Sequence, residues 1–140
     1  MIDEPQRTVE LSIPMLKDME LAAAKVAEGL SSLMDFDEAK RAEVTMALLE
    51  ACINSFEHSK SADRRVYIHF HMGKDHLRII LRDRGVGFDR SSVELPDISK
   101  KLQKGARKRG WGLMLMESLM DEVYFASDEE GSTLTMIKWK

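Results

Sequence analysis

The 140-residue sequence holds one cysteine, Cys52. A single thiol cannot close an intrachain disulfide or build a thiolate metal site, so disulfide scaffolds and zinc fingers are excluded and a reducing, cytoplasmic setting is expected. Long apolar runs are missing too: nowhere do about eighteen apolar residues follow one another, the length a membrane-spanning helix needs. Met1 to Glu10 carries acid where a signal peptide carries base, and no apolar stretch follows, so export by that route is not expected. Nor does one sign of charge dominate. The 21 Lys and Arg against 24 Asp and Glu leave a net charge of −3, which calls for neither direct nucleic-acid binding nor an acidic membrane surface. Repeats, low-complexity tracts and dividing linkers are also absent, so one domain over residues 1–140 is expected, a size that buries about two-thirds of the unfolded surface. The ten methionines scatter through the chain and read as core filler, because Met adapts to irregular gaps.

The pattern that is present alternates strands with amphipathic helices. Val9, Leu11 and Ile13 alternate with polar neighbours and predict a strand over Thr8 to Ile13. Pro14 then suits a first helical turn, and Met15, Met19, Ala22, Val26 and Leu30 predict the buried stripe of a helix running to about Leu33. Asp35 or Asp37 can cap a second helix, Glu38 to His58, with Ala42, Met46, Leu49, Ile53 and Phe56 as its expected buried stripe. Arg65 to Met72 and His76 to Arg82 predict an antiparallel hairpin turning at Gly73-Lys74-Asp75. Val66, Ile68 and Phe70, and likewise Leu77, Ile79 and Leu81, share a face, which implies a sheet covered on one side. Phe88 to Arg109 is polar, with one short helix expected. A helix from about Gly112 to Met120 and strands Val123 to Ala126 and Ser132 to Trp139, joined at Glu130-Gly131, close the chain. Antiparallel strand pairs interrupted by helices predict an α+β two-layer sandwich, a mixed or antiparallel sheet with helices on one face.

Three clusters carry chemistry. Glu50, Asn54 and His58 stand at i, i+4 and i+8 of the second helix, so each is about 40° round from the last and one ligand can meet them all. An amide oxygen is a neutral Mg²⁺ ligand, and a carboxylate one turn away can take a proton from a nucleophile. Asp83-Arg84-Gly85-Val86-Gly87 follows an apolar strand, placing a carboxylate that can accept from the exocyclic amine of adenine beside glycines that leave room for the base. Arg109-Gly110-Trp111-Gly112-Leu113 opens a helix, where unpaired N–H groups favour phosphate. The stretch before it gathers Lys100, Lys101, Lys104, Arg107, Lys108 and Arg109, cations enough to fold over a triphosphate. No aromatic is interleaved with them, as single-stranded nucleic-acid binding would require.

In order and spacing these pieces resemble the GHKL ATPases, shared by gyrase-type topoisomerases, heat-shock chaperones and sensor histidine kinases. Glu50 to His58 resembles the N box, Asp83 to Gly87 the first glycine box, Gly110 to Leu113 the second, and Gly131-Ser132-Thr133-Leu134 the entry to the final strand. Within that family the chain is similar to the bacterial anti-sigma factor serine/threonine kinases. The resemblance implies a histidine-kinase-like ATPase domain using ATP and Mg²⁺. It makes Glu50 the general base, Asn54 the Mg²⁺ ligand, Asp83 the adenine-reading carboxylate, and Gly85, Gly87, Gly110 and Gly112 backbone approaches to nucleotide. Thr133 would reach the adenine side through its hydroxyl or a water. Arg107, Lys108 and Arg109 compete for the γ-phosphate, with Lys108 at the preferred spacing. Trp111 either packs over nucleotide or covers the core, and His58 either braces the helix end or touches ligand. Ser55 and Ser59 depart from the alanine and glycine common at these places.

The resemblance further implies a partner-switching protein kinase: one that binds a sigma factor or equivalent client, phosphorylates an anti-anti-sigma antagonist on serine or threonine, and pairs as a homodimer. Two other readings compete. One is an ATP-gated binding regulator that transfers no phosphate, and the other is a catalytic fragment of a sensor histidine kinase.

Overall fold

The computed structural model describes residues 7–84 and 109–140. Its strands are β1 (Thr8–Pro14), β2 (Arg65–Met72), β3 (His76–Arg84), β4 (Glu122–Asp128) and β5 (Gly131–Trp139), and its helices are α1 (Met19–Leu33), α2 (Glu38–His58) and α3 (Arg109–Leu119). The strands form one sheet in the order β1-β2-β3-β5-β4, with every neighbouring pair antiparallel. Alternation decides which face is covered. Val66, Ile68 and Phe70 of β2, Leu77, Ile79 and Leu81 of β3, and Leu134 and Met136 of β5 are buried together with residues of all three helices in one core. Tyr67, His69, Arg78 and Thr133 point the other way and are half-buried or exposed. The expected two-layer α+β architecture is the observed one.

The turns follow from local chemistry. Between β2 and β3, Gly73 N–H donates to the His76 carbonyl at 2.8 Å. Between β4 and β5, Asp128 Oδ1 accepts from the N–H groups of Glu130 (2.8 Å) and Gly131 (3.1 Å). Gly131 has φ +145°, and a Cβ there would stand 2.0 Å from the Asp83 carbonyl oxygen, so only glycine fits beside the end of β3. Asp37 caps α2, its Oδ1 accepting from Lys40 N–H at 2.8 Å.

Some expectations shift. Pro14 ends β1 rather than opening α1. It pairs with Arg65 on an edge strand, where a missing N–H is tolerated. α1 begins at Met19, after Asp18 adopts φ 72° and breaks the path from the strand. The buried stripe of α1 is Ala23, Ala24, Ala27, Leu30 and Ser31, while Ala22 is exposed. That of α2 is Val44, Ala47, Leu48, Ala51, Cys52 and Asn54, with Ala42 and Met46 exposed. Both helices carry apolar residues on more than one side, and the small side chains let the two pack closely, so the alanine faces turn inward. α3 starts three residues earlier than expected, at Arg109, because glycine is tolerated in a first turn that is still without complete hydrogen bonds. The short helix expected within Phe88 to Arg109 lies outside the described residues. Of the methionines, Met15, Met34, Met116, Met120 and Met136 are buried, whereas Met46 and Met114 are exposed.

Beneath α3 runs a buried polar link. Lys138 of β5, 7% exposed, donates from Nζ to Glu43 Oε2 of α2 at 3.0 Å and to the Leu119 carbonyl at the end of α3 at 2.6 Å. One ammonium thus ties the sheet to two helices and satisfies a carbonyl left over at a helix end.

Candidate functional site

α2 lies over the sheet where β3 and β5 end and begin. Asp83, the next-to-last residue of β3, is in register with Ser132, the second residue of β5. Asp83 Oδ1 accepts from Ser132 N–H at 3.2 Å, and its Oδ2 lies 3.5 Å from the Ser55 hydroxyl of α2. A cavity of about 30 Å³ opens here, walled by Asn54 and Ser55 of α2, Leu81 and Asp83 of β3, Phe125 of β4 and Ser132 of β5. Its polar atoms are few and sit on an otherwise apolar wall. Partial burial pushes the Asp83 carboxyl above its ordinary value. Hydrogen bonds from Ser132 N–H and from the Ser59 and Ser55 hydroxyls oppose that shift, and the charge of Asp63 adds to it.

Asn54 is 5% exposed, and among the described residues its Oδ1 has no hydrogen-bond partner. An orphaned buried amide oxygen costs roughly 1–3 kcal/mol, a price consistent with an atom kept for a ligand. One turn on, His58 Nε2 is also buried, without a hydrogen bond among the described residues and 3.6 Å from Glu57 Oε2. His58 stands in the last turn of α2, where an imidazolium favours the negative helix end. Glu50, one turn before Asn54, is half-buried. The donor set fits a hard divalent cation and its phosphates: a neutral amide oxygen with an open lone pair, and a carboxylate one turn away.

α3 brings Arg109 to Leu113 into its first turns, where the leading N–H groups have no helical acceptor. Trp111 is half-buried. Gly112 is buried, and Leu113 enters the core at 3% exposure, so what these two can offer a ligand is backbone. Gly85, Gly87 and Lys108 lie outside the described residues, as does the cationic stretch from Lys100 to Lys108.

Thr133 is placed differently from expectation. It faces the opposite side of the sheet and lines an open groove with Tyr67, His69 and Arg82. Its neighbour Ser132 takes the place beside Asp83. The signal was in the sequence: Leu134 must face the core, and residues two apart share a face, so Ser132 and not Thr133 belongs with it.

Residues 14–138 match the family described as the histidine kinase-like ATPase domain. The chain is 32% identical to the serine-protein kinase RsbW of Bacillus cereus (strain Q1), covering 94% of this chain and 84% of that one. It is 28% identical to the serine-protein kinase RsbW of Halalkalibacterium halodurans, covering 99% and 86%. The fold is similar to that of the RsbU and RsbW domains of a Mycobacterium tuberculosis protein, with a TM-score of 0.71 at 16% identity over 96% of this chain and 33% of that one. It is also similar to a chain of the SiaB–SiaC complex from Pseudomonas aeruginosa, with a TM-score of 0.66 at 11% identity over 92% and 88%. The orphaned amide, the half-buried carboxylate and the sheet order thus occur in a chain that belongs to the histidine kinase-like ATPase domain family, among relatives that are serine-protein kinases.

Proposed function

We propose that the protein is an ATP-dependent serine/threonine protein kinase and anti-sigma factor that works by partner switching. It holds a sigma factor or equivalent client and phosphorylates a small anti-anti-sigma antagonist. The observation that carries this reading is the pairing on one helix of an orphaned buried Asn54 oxygen with Glu50 one turn earlier, beside the cavity that ends on Asp83.

Each residue then has a task. Asp83, its two oxygens engaged from β5 and α2, presents a remaining lone pair to the exocyclic amine of adenine. Asn54 Oδ1 is the ligand for Mg²⁺, which when bound offsets phosphate charge. Glu50 takes the proton of the antagonist's serine or threonine hydroxyl as its oxygen bonds to the γ-phosphorus and the bond to the ADP oxygen breaks. The first turn of α3, which opens with Arg109, and the cations before it, Lys108 among them, meet the phosphates. Gly85 and Gly87 admit the base, and Trp111 closes the phosphate end.

β1 lies at one edge of the sheet, and a homodimer is part of this reading. So is a cytoplasmic setting; among the described residues no helix is long and apolar enough to cross a membrane. Incubation with γ-labelled ATP and candidate anti-anti-sigma antagonists tests the proposal. Label moving to a serine or threonine of the antagonist is expected. Tight ATP binding with no label on protein would instead make the chain an ATP-gated regulator.

A further inference from the structure

Two hydroxyls stand near Asp83 at the end of α2: Ser55, which lines the cavity, and Ser59, the residue that caps the helix. Ser55 and Ser59 are four residues apart at the end of the helix and so share a face. Ser55 Oγ lies 3.5 Å from Asp83 Oδ2, while Ser132 N–H holds Oδ1 from the opposite side at 3.2 Å. Ser59 Oγ accepts from Ser61 N–H at 3.2 Å, which leaves its own proton free to point at the carboxylate. The carboxylate is thus held at Oδ1 by a strand N–H and approached at Oδ2 by a helix hydroxyl.

We infer that Ser55, supported by Ser59, is a positioning residue that fixes Asp83 as a pure acceptor and thereby selects bases bearing an exocyclic amine over bases bearing an exocyclic carbonyl at the same place. This inference rests on the reading of Asp83 as the base-reading carboxylate. An ionised carboxylate only accepts, whereas a protonated one also donates and can satisfy a carbonyl. Burial favours the protonated form of Asp83, and the charge of Asp63, from the segment before β2, pushes the same way. The hydrogen bonds from Ser55 and Ser59 on α2 and from Ser132 on β5 oppose it. Asn54 and Arg82 also line the cavity. Without the Ser55 hydroxyl, Asp83 takes a proton at higher pH and discrimination between the two edges weakens.

ATP and inosine triphosphate differ at this position only by amine against carbonyl, so their affinities form the test. Both are titrated into the full chain from pH 5 to pH 8, for wild type, Ser55→Ala and Ser55→Thr. The ratio of the two affinities within one variant does not depend on how much of it is folded. For Ser55→Ala the acid limb of ATP binding moves to higher pH, and on that limb the preference for ATP falls below that of wild type at the same pH. Ser55→Thr, which keeps a hydroxyl, restores both. An unchanged preference and an unchanged acid limb in Ser55→Ala overturn the inference. Asp83→Asn separates the two levels: if it binds ATP like wild type, the reading of Asp83 itself falls. If it loses ATP while Ser55→Ala keeps its preference, only the role of Ser55 falls.

Discussion

Asp83 sits where a free carboxylate is disfavoured. Burial raises its pKa above the ordinary 3.8, so the folded chain binds its proton more tightly than the unfolded chain does. The group therefore adds stability below 3.8, and that contribution is lost as pH rises from there through the raised folded value. At neutral pH its charge is a burden on the empty protein. Asp83→Asn removes the charge but keeps an acceptor for Ser132 N–H. In calorimetry at pH 7 without nucleotide, this variant is expected to melt at or above the wild-type temperature, with the gap closing as pH falls towards about 4. ATP binding is lost in the same variant. A wild type that outlasts Asp83→Asn at pH 7 without nucleotide would show that Asp83 is structural. The motif around Asp83 was legible as a carboxylate at a strand end; its serine clamp was not, because Ser55, Ser59 and Ser132 come from separate elements. Strand alternation separates Thr133 from Ser132: Leu134 faces the core, so Ser132 shares its face and Thr133 takes the other.

At the scale of elements, β2 and β3 were readable because branched and aromatic residues alternate without interruption from Val66 to Phe70 and from Leu77 to Leu81. The limits of α2 were readable from Asp37 and the polar run after His58. Its orientation was not. Ala42, Met46 and Leu49 form as plausible a stripe as Val44, Ala47, Leu48 and Ala51, and only packing against α1 and the sheet decides between them. That choice rotates Asn54 from a solvated flank into the wall of the cavity. Lys138, in a strand otherwise read as apolar inward, was equally invisible, since its partners Glu43 and Leu119 are remote in sequence. Breaking this link by Lys138→Ala is expected to lower stability in urea by about 1–2 kcal/mol, since the Leu119 carbonyl loses its donor and the part-exposed Glu43 its counter-charge. Replacing both partners with apolar residues, Glu43→Leu with Lys138→Met, should recover most of that loss. Equal losses in the single and double variants would mean that packing, not charge, is what Lys138 supplies.

Across the whole molecule, nucleotide binding and folding are linked through a core that contains one thiol. Cys52, two residues before Asn54, is fully buried, and burial pushes its pKa up to about 12. Alkylation at pH 8 therefore reports opening of the core and not surface chemistry. Mg-ATP at a hundredfold excess over its dissociation constant stabilises by about 2.7 kcal/mol, so labelling of Cys52 should slow roughly a hundredfold. A labelling rate indifferent to nucleotide would argue against a site walled by α2.

The central claim is that Glu50 serves transfer and not binding. The direct measurement compares Glu50→Ala with wild type in one assay: ATP affinity by titration, and label delivered from γ-labelled ATP to the antagonist. ATP affinity within a few-fold of wild type, together with transfer reduced by about a hundredfold or more, is the predicted result. Transfer at the wild-type rate would contradict it.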